Sequence, residues 1–99
     1  MGKNKKNQTK KSIRPGKDLV ASKAESLNRK LYKIIEQGVT ELTLDFVNLK
    51  SLDPVGLSVI AAAHNTLNNA GGRLLLKKVP DEINTLFDAL GLNNHFNVV

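Results

Sequence analysis

The 99-residue chain is predicted to fold as one α/β domain, a mostly parallel central sheet with three helices in the order β, α, β, α, β, α. Three observations predict it. Leu42, Leu44 and Phe46 fall on one face of an extended stretch, with Thr43, Asp45 and Val47 on the other, the period of a strand. That stretch leads to Asp53-Pro54, a helix start: an aspartate N-cap can accept from free first-turn N–H groups, and proline loses nothing at the first helical position. Leu74-Leu75-Leu76 is an almost continuous apolar run, as in a strand buried on both faces. Strands separated by helices pair in parallel.

In chain order, residues 1–11 are polar and basic and are expected to be disordered, since they hold too little apolar surface to offset the entropy of ordering. The domain is expected to span 12–99. Residues 12–14 offer a short edge strand, Pro15-Gly16 a turn, and Leu19-Val20 a second short apolar piece. Ser22-Lys23-Ala24-Glu25 has the form of a capping box. The helix after it, over about 23–37, carries Ala24, Leu27, Leu31, Ile34 and Ile35 as one apolar stripe, and Gly38 ends it.

A strand follows at about 41–47, then a helix over 55–69 rich in small residues, stopped by Ala70-Gly71-Gly72. The next strand covers 73–78. Pro80-Asp81-Glu82 opens a third helix over 82–90, with Ile83, Leu86, Phe87 and Leu90 as its apolar stripe. Residues 96–99 offer a short last strand.

The composition narrows the function. There is no cysteine, hence no disulfide framework, thiolate metal site or thiol nucleophile. No apolar run approaches the length of about 18 residues that a membrane span needs. The N-terminus lacks the apolar core of a signal peptide, so a cytoplasmic protein without a membrane partner is expected. The net charge of +6 is not a property of the domain: residues 1–17 carry Lys3, Lys5, Lys6, Lys10, Lys11, Arg14 and Lys17 and no acid. The rest is nearly neutral. A basic tail can tether a chain to nucleic acid or another anionic surface, but a charge run is more often a solvated extension, so nucleic acid is not the favoured partner. No aromatic residue interrupts the run, so base stacking is not provided for.

Catalytic motifs fail on inspection. Gly16-Lys17 is followed by Asp18, which breaks a phosphate loop. Gly56-Leu57-Ser58 begins a nucleophile elbow, but Ile60 stands where its second glycine belongs. His64 and His95 are the only histidines and have no thiol partner; a half-buried packing or surface role suits His64 better than a ligand role. Asp45 and Asp53 could form an acid–base pair, but a strand-face acid and a helix cap explain them more simply. Neither a cofactor nor a metal is expected, and the chain is not expected to be an enzyme.

The residues Leu44-Asp45-Phe46-Val47-Asn48-Leu49, Leu52-Asp53-Pro54-Val55-Gly56-Leu57, Ala70-Gly71-Gly72-Arg73-Leu74 and Leu86-Phe87-Asp88-Ala89-Leu90-Gly91-Leu92 together resemble the STAS domain, the fold of anti-sigma factor antagonists. The resemblance runs from Ser12 to Val99 and implies a protein-binding regulatory module in signal transduction. Its partner would be an anti-sigma factor that is also a serine kinase with an ATP-binding fold. The contact surface would be Asp53, Pro54, Val55, Gly56, Leu57 and Ser58. In that family a Ser or Thr between the turn's Asp and Gly is phosphorylated and binding ends. Here Pro54 and Val55 fill those places and carry no hydroxyl, while Ser51 and Ser58 are out of register. The family also has two strands before its first helix, of which only 12–14 is evident here. The rival readings are a scaffold subunit of a bacterial signalling assembly and a nucleic-acid-associated protein acting through its tail, which deletion of 1–11 would separate.

Overall fold

The computed structural model describes residues 9–99. The elements are β1 (Lys10–Ile13), β2 (Asp18–Leu19), α1 (Ala21–Glu36), β3 (Glu41–Asp45), β4 (Ser51–Leu52), α2 (Pro54–Asn69), β5 (Arg73–Lys77), α3 (Asp81–Ala89), a 3-10 turn (Leu92–Asn94) and β6 (Asn97–Val98). The main sheet has the order β1-β3-β5-β6 and every pairing in it is parallel. The α/β class and the parallel pairing of β3 with β5 are those expected.

The inner face of the sheet is built by alternation. Leu42 and Leu44 of β3 lie beside Leu74 and Leu76 of β5, and all four are buried. Phe46, Leu31, Ile60, Leu67 and Phe87 complete a core that α1 and α2 cover. Truncating such a side chain to alanine costs about 2–5 kcal/mol, so this face holds much of the domain's stability.

The other face stays open, which corrects one expectation. Leu75 is only partly buried, because no helix covers its side and its neighbours there are Thr43 and Asn97. The same face carries Glu41, which pairs with Arg73 at 2.8 Å and with Lys10 at 3.9 Å, tying β1, β3 and β5 together across the surface. Exposed pairs of this kind contribute at most about 1 kcal/mol.

The N-terminal half departs from the sequence reading in three ways. Residues 1–8 lie outside the described residues, and with them most of the expected tail. The remainder does not match the expectation, since β1 takes Lys10 and Lys11 into the sheet. Two strands precede α1, and not one: β2 pairs in parallel with β4 as a separate ribbon, Asp18 beside Ser51 and Leu19 beside Leu52. The capping box at Ser22 does not form. Helix α1 begins at Ala21 with Val20 as its N-cap, and no side chain of its own turn caps it.

Two apolar stripes are narrower than their spacing indicates. In α1, Ile34 is buried and Ile35 only partly. In α3, Ile83 and Phe87 are buried, whereas Leu86 and Leu90 are exposed. A nine-residue helix on one layer of core buries a single i, i+4 ridge.

Candidate functional site

The site grows from the join between the β2–β4 ribbon and the two long helices. Asp53 follows β4 directly, and its N–H donates to the Leu19 carbonyl at 3.2 Å, which extends the ribbon by one step. Its backbone is extended, so its side chain turns back over the helix start. One carboxylate oxygen accepts from the Gly56 N–H at 2.8 Å, the N-cap bond of α2. The other accepts from the Ala21 N–H at 2.9 Å, at the start of α1. One aspartate therefore caps two helices, reaching an amide 32 residues away in sequence. The Gly56 and Ala21 N–H groups hold its carboxyl below the usual carboxylate range, since donated hydrogen bonds favour the anion.

Gly56 is buried against the same strand. A β-carbon there would fall on the carbonyl oxygen of Leu19, so the tight approach of α2 to β2 needs glycine. Leu57 packs partly against the core, and its N–H donates to the Asp53 carbonyl at 2.9 Å.

The six residues singled out from the sequence are brought together, but they divide by direction. Gly56 faces inward, Leu57 is partly buried, and Asp53 has both oxygens engaged. Pro54, Val55 and Ser58 face solvent, with Val55 45% exposed. The Ser58 hydroxyl donates back to the carbonyls of Val55 at 2.9 Å and Pro54 at 3.1 Å. Ser51 is exposed at the start of β4.

Beside Val55, helices α1 and α2 leave a shallow groove of about 270 Å³, lined by Ala24, Glu25, Asn28, Ser58, Val59 and Ala62. Sequence reasoning missed the α1 side of this groove. Glu25 and Asn28 lie off the apolar stripe of α1 and Ala24 at its first position, and only the packing of α1 on α2 shows that they border the turn.

Asp45 stands apart from Asp53 in its bonding. It accepts from the Val47 N–H at 3.0 Å and from Arg14 at 3.4 Å, and these hold its carboxyl below the usual range despite burial. Among the described residues the two acids share no hydrogen-bond partner. His64 is buried and not half-exposed, packed against His95 and Phe96. Among the described residues no helix is long and apolar enough to cross a membrane.

No curated protein sequence matches the chain. Two solved structures share its fold. The anti-sigma factor antagonist SpoIIAA in its unphosphorylated form superposes with a TM-score of 0.74 at 20% identity, over 95% of this chain and 82% of that one. The Bacillus cell fate determinant SpoIIAA in its phosphorylated form gives 0.72 at 22% identity, over 94% and 85%. The STAS domain pattern itself matches residues 4–99, which is nearly the whole sequence, and the chain therefore belongs to the STAS domain family.

Proposed function

We propose that this protein is a cytoplasmic anti-sigma factor antagonist that works by binding and not by catalysis. Its partner is an anti-sigma factor of the serine-kinase type with an ATP-binding fold. The start of α2 is the docking surface. The observation that carries this reading is the surface made by Pro54, Val55 and Ser58 at the N-terminus of α2, a helix with no Asp, Glu, Lys or Arg along its length. An exposed apolar side chain beside a groove lined by Ala24, Val59 and Ala62 with a polar rim of Glu25, Asn28 and Ser58 suits a protein partner. Asp53 supports that surface from beneath, since both its oxygens are spent on the two helix starts.

The turn also lacks the covalent switch. Neither Pro54 nor Val55 can accept a phosphoryl group, and the Ser58 hydroxyl is turned back onto its own helix. The protein therefore stays competent to bind in the presence of ATP. A scaffold subunit of a larger signalling assembly would use the same surface with a partner of another kind.

Val55→Glu tests the surface. An acid in the first turn of a helix suits the dipole, so the fold should be unaffected. Affinity for a purified anti-sigma kinase from the same cell, measured by calorimetry, should fall at least about tenfold, the equivalent of about 1.4 kcal/mol. Unchanged affinity with an intact fold would remove α2 from the interface.

A further inference from the structure

The only two histidines of the chain, 31 residues apart, meet on the far half of α2. His64 is 4% exposed, and its ring lies 4.8 Å from that of His95, centroid to centroid, at a tilt of 59°. Phe96 meets the His64 ring edge-on at 5.6 Å and in turn packs on Phe87 at 5.6 Å. Asn68, one turn on, approaches Nε2 at 3.4 Å, and Nδ1 is buried without a partner among the described residues. A buried polar atom left unpaired calls for an explanation beyond packing.

The segment that carries His95 and Phe96 is lightly held. Strand β6 pairs with β5 at two positions only, Leu75 with Asn97 and Leu76 with Val98. The Asn97 side chain adds a bond to the Leu74 carbonyl at 3.0 Å, and Val99 N–H donates to Leu76 at 2.8 Å. The aromatic cluster, the packing of Leu92 and Val98 on the core and a 3.3 Å bond from the Asn93 amide to Asp88 are its other anchors.

We propose that His64, packed under His95 and Phe96, is a proton-operated latch: with His64 neutral the segment 92–98 is closed on α2, and protonation of His64 releases it. His95 is exposed, whereas a positive charge on His64, buried against Phe96 and 4.8 Å from the His95 ring, cannot be accommodated without opening the cluster. Nothing nearby offsets the charge. Helix α2 carries no acid or base besides His64. The charged residues of α1, namely Lys23, Glu25, Arg29, Lys30, Lys33 and Glu36, are exposed. Arg73 and Lys77 of β5 project to the opposite face of the sheet from Leu74 and Leu76. Asp18 of β2 is partly buried in the other ribbon, Asp81 and Glu82 lie exposed at the start of α3, and Asp88 binds the Asn93 amide. Burial, then His95, hold the His64 ring below the usual imidazole value of 6.5. The open form binds the proton more readily, so opening increases as pH falls through and below that value.

Amide exchange by NMR on the full chain tests the latch, read at Phe96 and Val99, with Leu44 and Leu75, which face the β3–β5 pairing, as references. Between about pH 7.5 and pH 5, after correction for intrinsic exchange, protection at Phe96 and Val99 should fall at least about tenfold, one pH unit's worth of linkage. The references should hold. His64→Leu should abolish that dependence, and His95→Gln, which removes the ring that helps lower the His64 value, should weaken it, a readout that stands even if the leucine variant does not fold. An equal loss at all four amides, an unaltered response in the histidine variants, or no response in the wild type would each overturn the proposal.

Discussion

Gly56 shows how narrowly the site is specified at the level of one residue. Its missing side chain lets α2 lie on the Leu19 carbonyl, and that backbone oxygen cannot move without breaking the β2–β4 ribbon. Gly56→Ala should therefore cost about 3 kcal/mol, at the upper end for overpacking, as read by urea unfolding. Asp53 carries a different kind of constraint. Its folded-state pKa is depressed, so it binds fewer protons in the folded state than in the unfolded state. Its contribution to stability is present above the ordinary value of 3.8 and is lost as pH falls through the folded value; Asp45 behaves in the same sense. Asp53→Asn keeps only one acceptor oxygen, so either the Ala21 or the Gly56 amide should lose protection from exchange. The melting temperature of the variant should fall less steeply than that of the wild type between about pH 5 and pH 2. Half of this residue's role was legible in the sequence. The bond to Gly56 is three residues away and follows from helix capping, whereas the bond to Ala21 spans 32 residues and depends on how the ribbon brings the two helix starts together.

At the scale of elements, local pattern was a sound guide where one element packs on a wide core and a poor one at the margins. Strands β3 and β5 and helix α2 lie where alternation, Pro54 and the Gly71-Gly72 stop place them. Strands β2 and β4 have two residues each, too few for any periodicity, and they exist because each completes the other's hydrogen bonds. The Ser22 capping box failed because α1 starts one residue before it, where Asp53 supplies the acceptor. Helix α3 separates pattern from burial most cleanly. Phe87 is fully buried and Leu86 beside it is 37% exposed, although both fit one amphipathic stripe. Phe87→Ala should cost about 3–5 kcal/mol, and Leu86→Gln should stay within about 0.5 kcal/mol of wild type in the same denaturation assay.

For the whole molecule, a parallel sheet covered on one face only leaves the charged side of β1, β3 and β5 to solvent and gathers the helices on the other. The turn proposed as the docking surface sits at the edge of the helical layer, on the ribbon that joins α1 to α2. The histidine latch lies further along the same α2 helix. Docking and latch can therefore be tested independently. A phosphoserine adds about −1.5 to −2 charges, which a helix N-terminus tolerates, so phosphorylation at such a turn acts on the partner's fit and not on the fold. Under the proposed function, the lack of a hydroxyl at Pro54 and Val55 bears on regulation and not on the fold. The most direct measurement is intact mass and partner affinity after incubation of the protein with a purified anti-sigma kinase and ATP, run beside Pro54→Ser and Val55→Ser. The account predicts no added phosphoryl group at residues 51–58 of the wild type and undiminished binding, with a gain of mass and a loss of binding in at least one serine variant. A phosphoryl group on Ser51 or Ser58 of the wild type, accompanied by loss of binding, would contradict it.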